Sequence, residues 1–230
     1  MKSARLVVSL IGLACMATAC GSGDEPYKPA PAWSGRKPAL PPVPALKSSP
    51  IKVGDAYTVH GAIHHLRSRL HDKEVTAKDI TIQGYIVETN IENAPECAIH
   101  KAGQKDKDDC QSDIPSFWIS DSKTPGKDEP KIRVLGFAKN FASVFEAMNK
   151  YKGLKDPPKE LYKDEIWSVD VPYPLPSVGA KVKITGHYGY TFGKSSTGIV
   201  SDPVNGVATY GKIEYVEQAP NPVSFKNKKI

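Results

Sequence analysis

Two stretches of this chain, ITIQGYIVE at residues 80–88 and VKITGHYG at 182–189, alternate apolar and polar side chains around a central glycine. A period of two puts Ile80, Ile82, Gly84 and Ile86 on one side and Thr81, Gln83, Tyr85 and Val87 on the other, the pattern of a half-buried strand. The second run continues the same way: Val182, Ile184, Gly186, Tyr188, Tyr190 and Phe192 oppose Lys181, Lys183, Thr185 and His187. SFWISDS (116–122), KIRVLGFA (131–138) and GVATYGKIEYVE (206–217) read as three further strands. Gly84, Gly136 and Gly186 sit within or at the end of strand patterns, where glycine permits a bulge or sharp coil. Two segments have helical spacing instead. Val59, Ala62, Ile63, Leu66 and Leu70 predict a helix over 58–70 with Thr58 as N-cap. Phe141, Val144, Phe145 and Met148 predict another over 140–153, with Asn140 as N-cap and Gly153 as stop.

The order is strand, strand, strand, helix, strand, strand. Carried by ITIQGYIVE and VKITGHYG, this resembles the OB-fold, a mainly β architecture: a five-stranded Greek-key barrel with a helix between strands three and four. The likeness covers about residues 75–217 and implies that the additional N-terminal helix closes one end of the barrel. A barrel this small must bend its strands, which accounts for the glycines.

The first residues read as an address. Lys2 and Arg5 precede an apolar run from Leu6 to Met16, too short for the roughly 20 residues of a membrane span and laid out as a secretory signal. ATAC followed by Gly-Ser resembles the lipobox of bacterial lipoproteins, which implies signal cleavage after residue 19 and lipidation of Cys20. Ala17 stands where that motif most often has Leu. Gly21 carries no inner-membrane retention signal of the Asp type, so the resemblance implies an exported protein anchored in the cell envelope, at the outer membrane. Residues 20–50, rich in Pro, Ala and Ser, have no periodicity and read as an extended tether. Tyr27 and Trp33 within it read as solvated linker residues. The folded domain is expected over 51–222 and a basic flexible tail over 223–230.

With Cys15 in the signal and Cys20 at the lipid site, Cys97 and Cys110 remain as a pair in an exported chain. Oxidising compartments close such pairs into disulfides. A zinc site of Cys97, His100 and Cys110 is the competing reading, but the spacing fits no compact pattern and a fourth ligand is not evident.

The sequence contains no phosphate-binding loop, nucleophile elbow or HExxH motif, and the expected function is non-catalytic, without a cofactor. GKSSTG around Ser196 lacks the spacing of a phosphate loop and reads as a hairpin turn. Asp106, Asp108, Asp109 and Asp113 fail the EF-hand register and read as a solvated loop. His60, His64, Arg67 and His71 form a stripe beside the apolar one on the first helix, and His65 and Arg69 broaden it. His60 and His64 are near enough to share a metal, yet a basic solvent face is the simpler reading and no metal site is assigned.

OB-folds bind ligands across strands two and three, between the loops joining strands one to two and four to five. Trp118, Arg133, Phe137, Tyr190 and Tyr210 are the candidates for such a face, with Phe117 and Ile119 forming the apolar set on the other side. The expected partner is an envelope protein, a glycan or a small ligand. Nucleic acid is the alternative, because bases stack on aromatics over a basic groove. The formal charge of +6 argues for that alternative only superficially. Residues 51–222 hold 22 basic and 23 acidic groups, so the excess lies in the ends of the chain, where it suits anionic lipid or wall polymer.

Overall fold

The structure, a computed structural model, describes Pro29 and residues 49–67, 78–194 and 198–226. Contacts divide the chain into Met1–Leu46 and Lys47–Ile230, and all described secondary structure lies in the second unit. The proposed signal, the lipid site Cys20, Tyr27, Trp33, Arg69, Leu70, His71, Ser196 and the last four residues lie outside the described residues. In chain order the elements are β1 (Lys52–Val53), β2 (Ala56–Thr58), α1 (Val59–His65), β3 (Ile80–Thr89), β4 (Ser116–Ser120), β5 (Ile132–Leu135) and α2 (Phe141–Tyr151). There follow β6 (Tyr162–Lys163), β7 (Asp170–Val171), β8 (Lys181–Gly189), β9 (Thr191–Lys194), β10 (Gly198–Ser201) and β11 (Val207–Glu217).

The fold is mainly β, as the alternation implies. Burial follows the period of two: along β3 Ile80, Ile82, Gly84 and Ile86 are buried, and along β8 Val182, Ile184, Gly186 and Tyr188 are. Seven strands form one mixed sheet in the order β1-β2-β3-β4-β5-β11-β8. β3 also pairs with β8, so the hydrogen-bonded path β3-β4-β5-β11-β8 returns to its start. β5 and β11 run parallel, as do β2 and β3; the remaining pairs are antiparallel. Phe117, Ile119, Ile132, Val134, Val182 and Ile184 pack in one core with Val59 and Ala62 of α1 and Phe141 and Val144 of α2, and Val223 and Phe225 are buried in it too, which corrects the expected start of a flexible tail at 223.

The structure departs from five strands in three places. β1 and β2 precede α1, and β2 lies along β3 just before β4 takes over the same edge, Tyr57 facing Ile82 and Ser120 facing Tyr85. The Pro-rich connection contains the β6–β7 pair. The run read as one strand to Phe192 breaks at Tyr190, because Gly189 is the last residue with a partner on β11 (Val207); the chain then forms its own β9–β10 hairpin.

Both helices begin at their expected caps. The Asn140 carboxamide accepts from Ser143 N at 3.0 Å, and Gly153 follows α2 with φ of 76°. The Thr58 hydroxyl accepts from Gly61 N at 2.8 Å. α1 has a second anchor from far along the chain: the Asp121 carboxylate accepts from Val59 N at 2.7 Å and His60 N at 2.8 Å. Helical geometry is described to His65, five residues short of the predicted end at Leu70, which lies among the undescribed residues.

Cys97 and Cys110 meet in a disulfide with Cα atoms 5.8 Å apart, within the connection from β3 to β4. Joining these cysteines to one another removes them as zinc ligands. Closing this loop stabilises the fold by about 3 kcal/mol on the chain-entropy account. The Cys97→Ser/Cys110→Ser variant should therefore lose about that much in urea unfolding while keeping its far-ultraviolet β signal.

Gly186 shows why one strand glycine is required. A Cβ there would lie 1.9 Å from the Thr209 carbonyl oxygen, where β11 bulges between Tyr210 and Lys212. Gly189, three residues on, has open space. Gly186→Ala should cost about 1–3 kcal/mol by overpacking, and Gly189→Ala under half of that, measured by chemical unfolding.

Candidate binding face

Alternation along β4 sends Phe117 and Ile119 into the core and leaves Trp118 half-exposed on the outer side. Trp118 stands opposite Arg133 of β5, whose guanidinium carbon lies 5.1 Å from the Trp118 ring centroid. This is a cation–π contact held by further bonds. Arg133 Nε and Nη2 donate to Ser116 Oγ at 2.9 and 2.8 Å, and Nη2 pairs with the Asp113 carboxylate. Only 16% of the Arg133 side chain remains exposed. On the other flank Glu88 faces Trp118 in register, and Lys131 pairs with Glu88 at 3.3 Å. The outer face of β4 and β5 therefore presents one indole and matched charges.

Asp113 also lines a cavity of about 660 Å³ between the disulfide loop and the start of α2. Its walls include Lys105, Lys107 and Lys139, against Asp106, Asp108 and Asp113, with Asn140 and Ile166 closing the helix side. The charges in the loop are largely internal: Lys105 meets Asp108 at 2.7 Å, His100 meets Asp106 at 2.7 Å, and Ser112 Oγ donates to Asp106 at 3.3 Å. Among the described residues no group of three His, Cys, Asp or Glu side chains is arranged to hold a metal ion.

Of the five aromatic and basic candidates, the structure brings Trp118 and Arg133 together. Phe137 is wholly buried, between the rings of Phe117 at 5.7 Å and Tyr210 at 6.2 Å. The reason is Gly136, whose φ of 97° turns the chain after β5 and drops the next ring inward. Tyr210 is buried too, on the same side of β11 as Ala208, and burial raises its phenol well above the ordinary range. Both are core residues, which corrects their assignment to the ligand face. Tyr190 is 38% exposed, between β8 and the β9–β10 hairpin, its ring 6.4 Å from that of Tyr188.

Asp164 is a residue the sequence did not mark. It is buried, and its Oδ1 accepts from Ile166 N at 3.0 Å and Trp167 N at 2.8 Å, while Oδ2 accepts from Lys139 N at 2.9 Å. The two short-range bonds form an Asx-type turn, so DEIW at 164–167 is the signal that could have found it. Burial pushes this carboxyl upward, but the bonds from Trp167, Lys139, Ser143 and Ile166 outweigh it and hold the group below its ordinary value. The cavity wall at Lys139 and Ile166 is thereby tied to one anion.

Four of the described histidines fall into three settings, and the fifth, His65, has its ring 6.4 Å from that of Tyr57. His187 lies 2.9 Å from Asp79, and His100 belongs to the disulfide loop. The rings of His60 and His64 lie 4.3 Å apart, centroid to centroid. Desolvation, His60 and Arg67 lower the pKa of His64, in that order.

The chain matches no known family model, and no curated protein is significantly similar to it.

Asp164→Asn should cost about 1–3 kcal/mol, because an amide cannot accept on both sides and leaves a buried donor unpaired. The sign with pH follows from the lowered carboxyl. Its contribution is complete above the unfolded-state value of about 3.9 and is lost as pH falls through the lower folded-state value. Urea unfolding between pH 7 and pH 2 should show the gap between parent and variant narrowing at the acid end.

Proposed function

We propose that this chain is a non-catalytic binding module of the bacterial envelope, built on an OB-fold barrel and tethered by a lipid on Cys20. The strand path β3-β4-β5-β11-β8, with parallel β5 and β11 and with α2 between β5 and β8, supports the OB reading. The signal-like start and the lipobox-like ATAC support export and anchoring at the outer membrane. Among the described residues no helix is long and apolar enough to cross a membrane.

The observation that carries the ligand reading is the Trp118–Arg133 stack beside the 660 Å³ cavity. Asp113 joins the two, since it pairs with Arg133 and lines the cavity. An indole edge with a polar, charge-matched groove suits an envelope protein, a glycan or a small polar ligand. Nucleic acid, the second reading, is favoured by the aromatic–Arg pair, but Arg133 and Lys131 are already met by Asp113 and Glu88.

Trp118→Ala tests the face. It should weaken capture of the partner from envelope extract by about 2 kcal/mol or more, with little change in thermal unfolding. A large fall in melting temperature with unchanged capture would make Trp118 a packing residue. Fluorescence anisotropy with labelled single-stranded oligonucleotides at low salt separates the two readings: no binding is expected, and salt-sensitive binding would favour the nucleic-acid reading.

A further inference from the structure

We propose that His60 and His64 form an open two-imidazole site for a tetragonal transition-metal ion, Cu(II) before Ni(II) or Zn(II). The two residues are one turn apart on α1, with His64 exposed and His60 partly so, and their ring centroids are 4.3 Å apart with the planes tilted by 42°. That separation is short enough for one ion to reach both rings. With metal–nitrogen bonds of about 2.0 Å, two imidazoles bound at a right angle place their centroids about 4.4 Å apart, whereas a tetrahedral angle needs about 5.1 Å. The observed spacing is compatible with both rings binding one ion side by side, and the preference for Cu(II) follows from the affinity order of imidazole for divalent ions.

The scaffold under the pair is rigid. Asp121 holds the backbone N–H groups of Val59 and His60, and the Thr58 hydroxyl both caps Gly61 N and donates to Pro50 O at 2.6 Å. Gly61 lies against the Ile51 carbonyl, where a Cβ would come within 2.0 Å of the oxygen. Val59, Ala62 and Ile63 anchor the opposite side of the helix in the core. On such a base only the two side chains need adjust to chelate, and among the described residues no third His, Cys, Asp or Glu completes the set. Arg67, one turn on, is exposed, and its positive charge acts on His64, opposing a bound cation.

The test is titration of the untagged mature chain, its Cys20 thiol blocked by the lipid and the protein held in detergent, with CuCl₂, read by electron paramagnetic resonance and by competition with a chromophoric chelator. One Cu(II) should bind, with hyperfine coupling to two imidazole nitrogens. The His60→Ala/His64→Ala variant should weaken that binding roughly tenfold or more, and Zn(II) should bind the parent less tightly than Cu(II). His187→Ala, a control outside the pair, should bind as the parent does. His64 is exposed and His60 partly so, and thermal unfolding should change little; if it changes, the single His60→Gln and His64→Gln variants give the same readout. Equal Cu(II) affinity in parent and double variant, or a spectrum without imidazole nitrogen coupling, overturns the site.

Discussion

From Ile80 to Tyr85, β3 pairs along one edge with β8, from Gly186 to Lys181, while its other edge takes β2 and then β4. Little of this central strand is left as an open edge, the feature that would otherwise recruit another chain. The same pairing brings the apolar sides of β3, β4, β5, β8 and β11 to one core, with α2 and α1 packed against it. Gly186 is the residue that permits it, since the backbones of β8 and β11 approach too closely there for any side chain.

The ends of the helices depend on carboxylates supplied from elsewhere. Asp121, just after β4, caps α1 across 61–62 residues of sequence, and Asp164 bonds the backbone leading into α2 from 25 residues downstream. Each places a negative group where N–H groups are unpaired. Among the described residues no buried side-chain nitrogen or oxygen lacks a partner. The cavity beside Lys139 and the histidine pair on α1 each stand on one of these anions. Local order at both places is thus a consequence of long-range hydrogen bonding.

Charge acts differently at the surface. The basic excess of the whole chain lies at its ends, and the domain between them is nearly balanced. On the outer face of β4 and β5 that balance is reached pair by pair: Arg133 with Asp113, Lys131 with Glu88. The exposed Lys131–Glu88 pair contributes little to stability, while the largely enclosed Arg133 is held by Asp113 and Ser116.

Much of the fold was legible because it rests on local periodicity. The alternating runs identified β3 and β8, the helical spacing with Asn140 identified α2, and a cysteine pair in a polar loop pointed to the disulfide. The candidate face was legible by half. Alternation alone set Trp118 against Phe117, and Trp118 and Arg133 do stack. Phe137 and Tyr210 misled because their direction depends on the turn at Gly136 and on the side of β11 that meets the core. Asp121, the bond from Lys139 N to Asp164, the β6–β7 pair and the end of β8 at Gly189 depended on which backbone groups meet at a distance, and neighbouring residues carry no record of that. The sequence by itself determined which residues alternate, which turn helical and which glycines must bend. Tertiary structure alone decided which edges pair, which aromatics are enclosed and which carboxylates cap distant helices, because hydrogen bonds and packing across the chain are settled only when those segments meet.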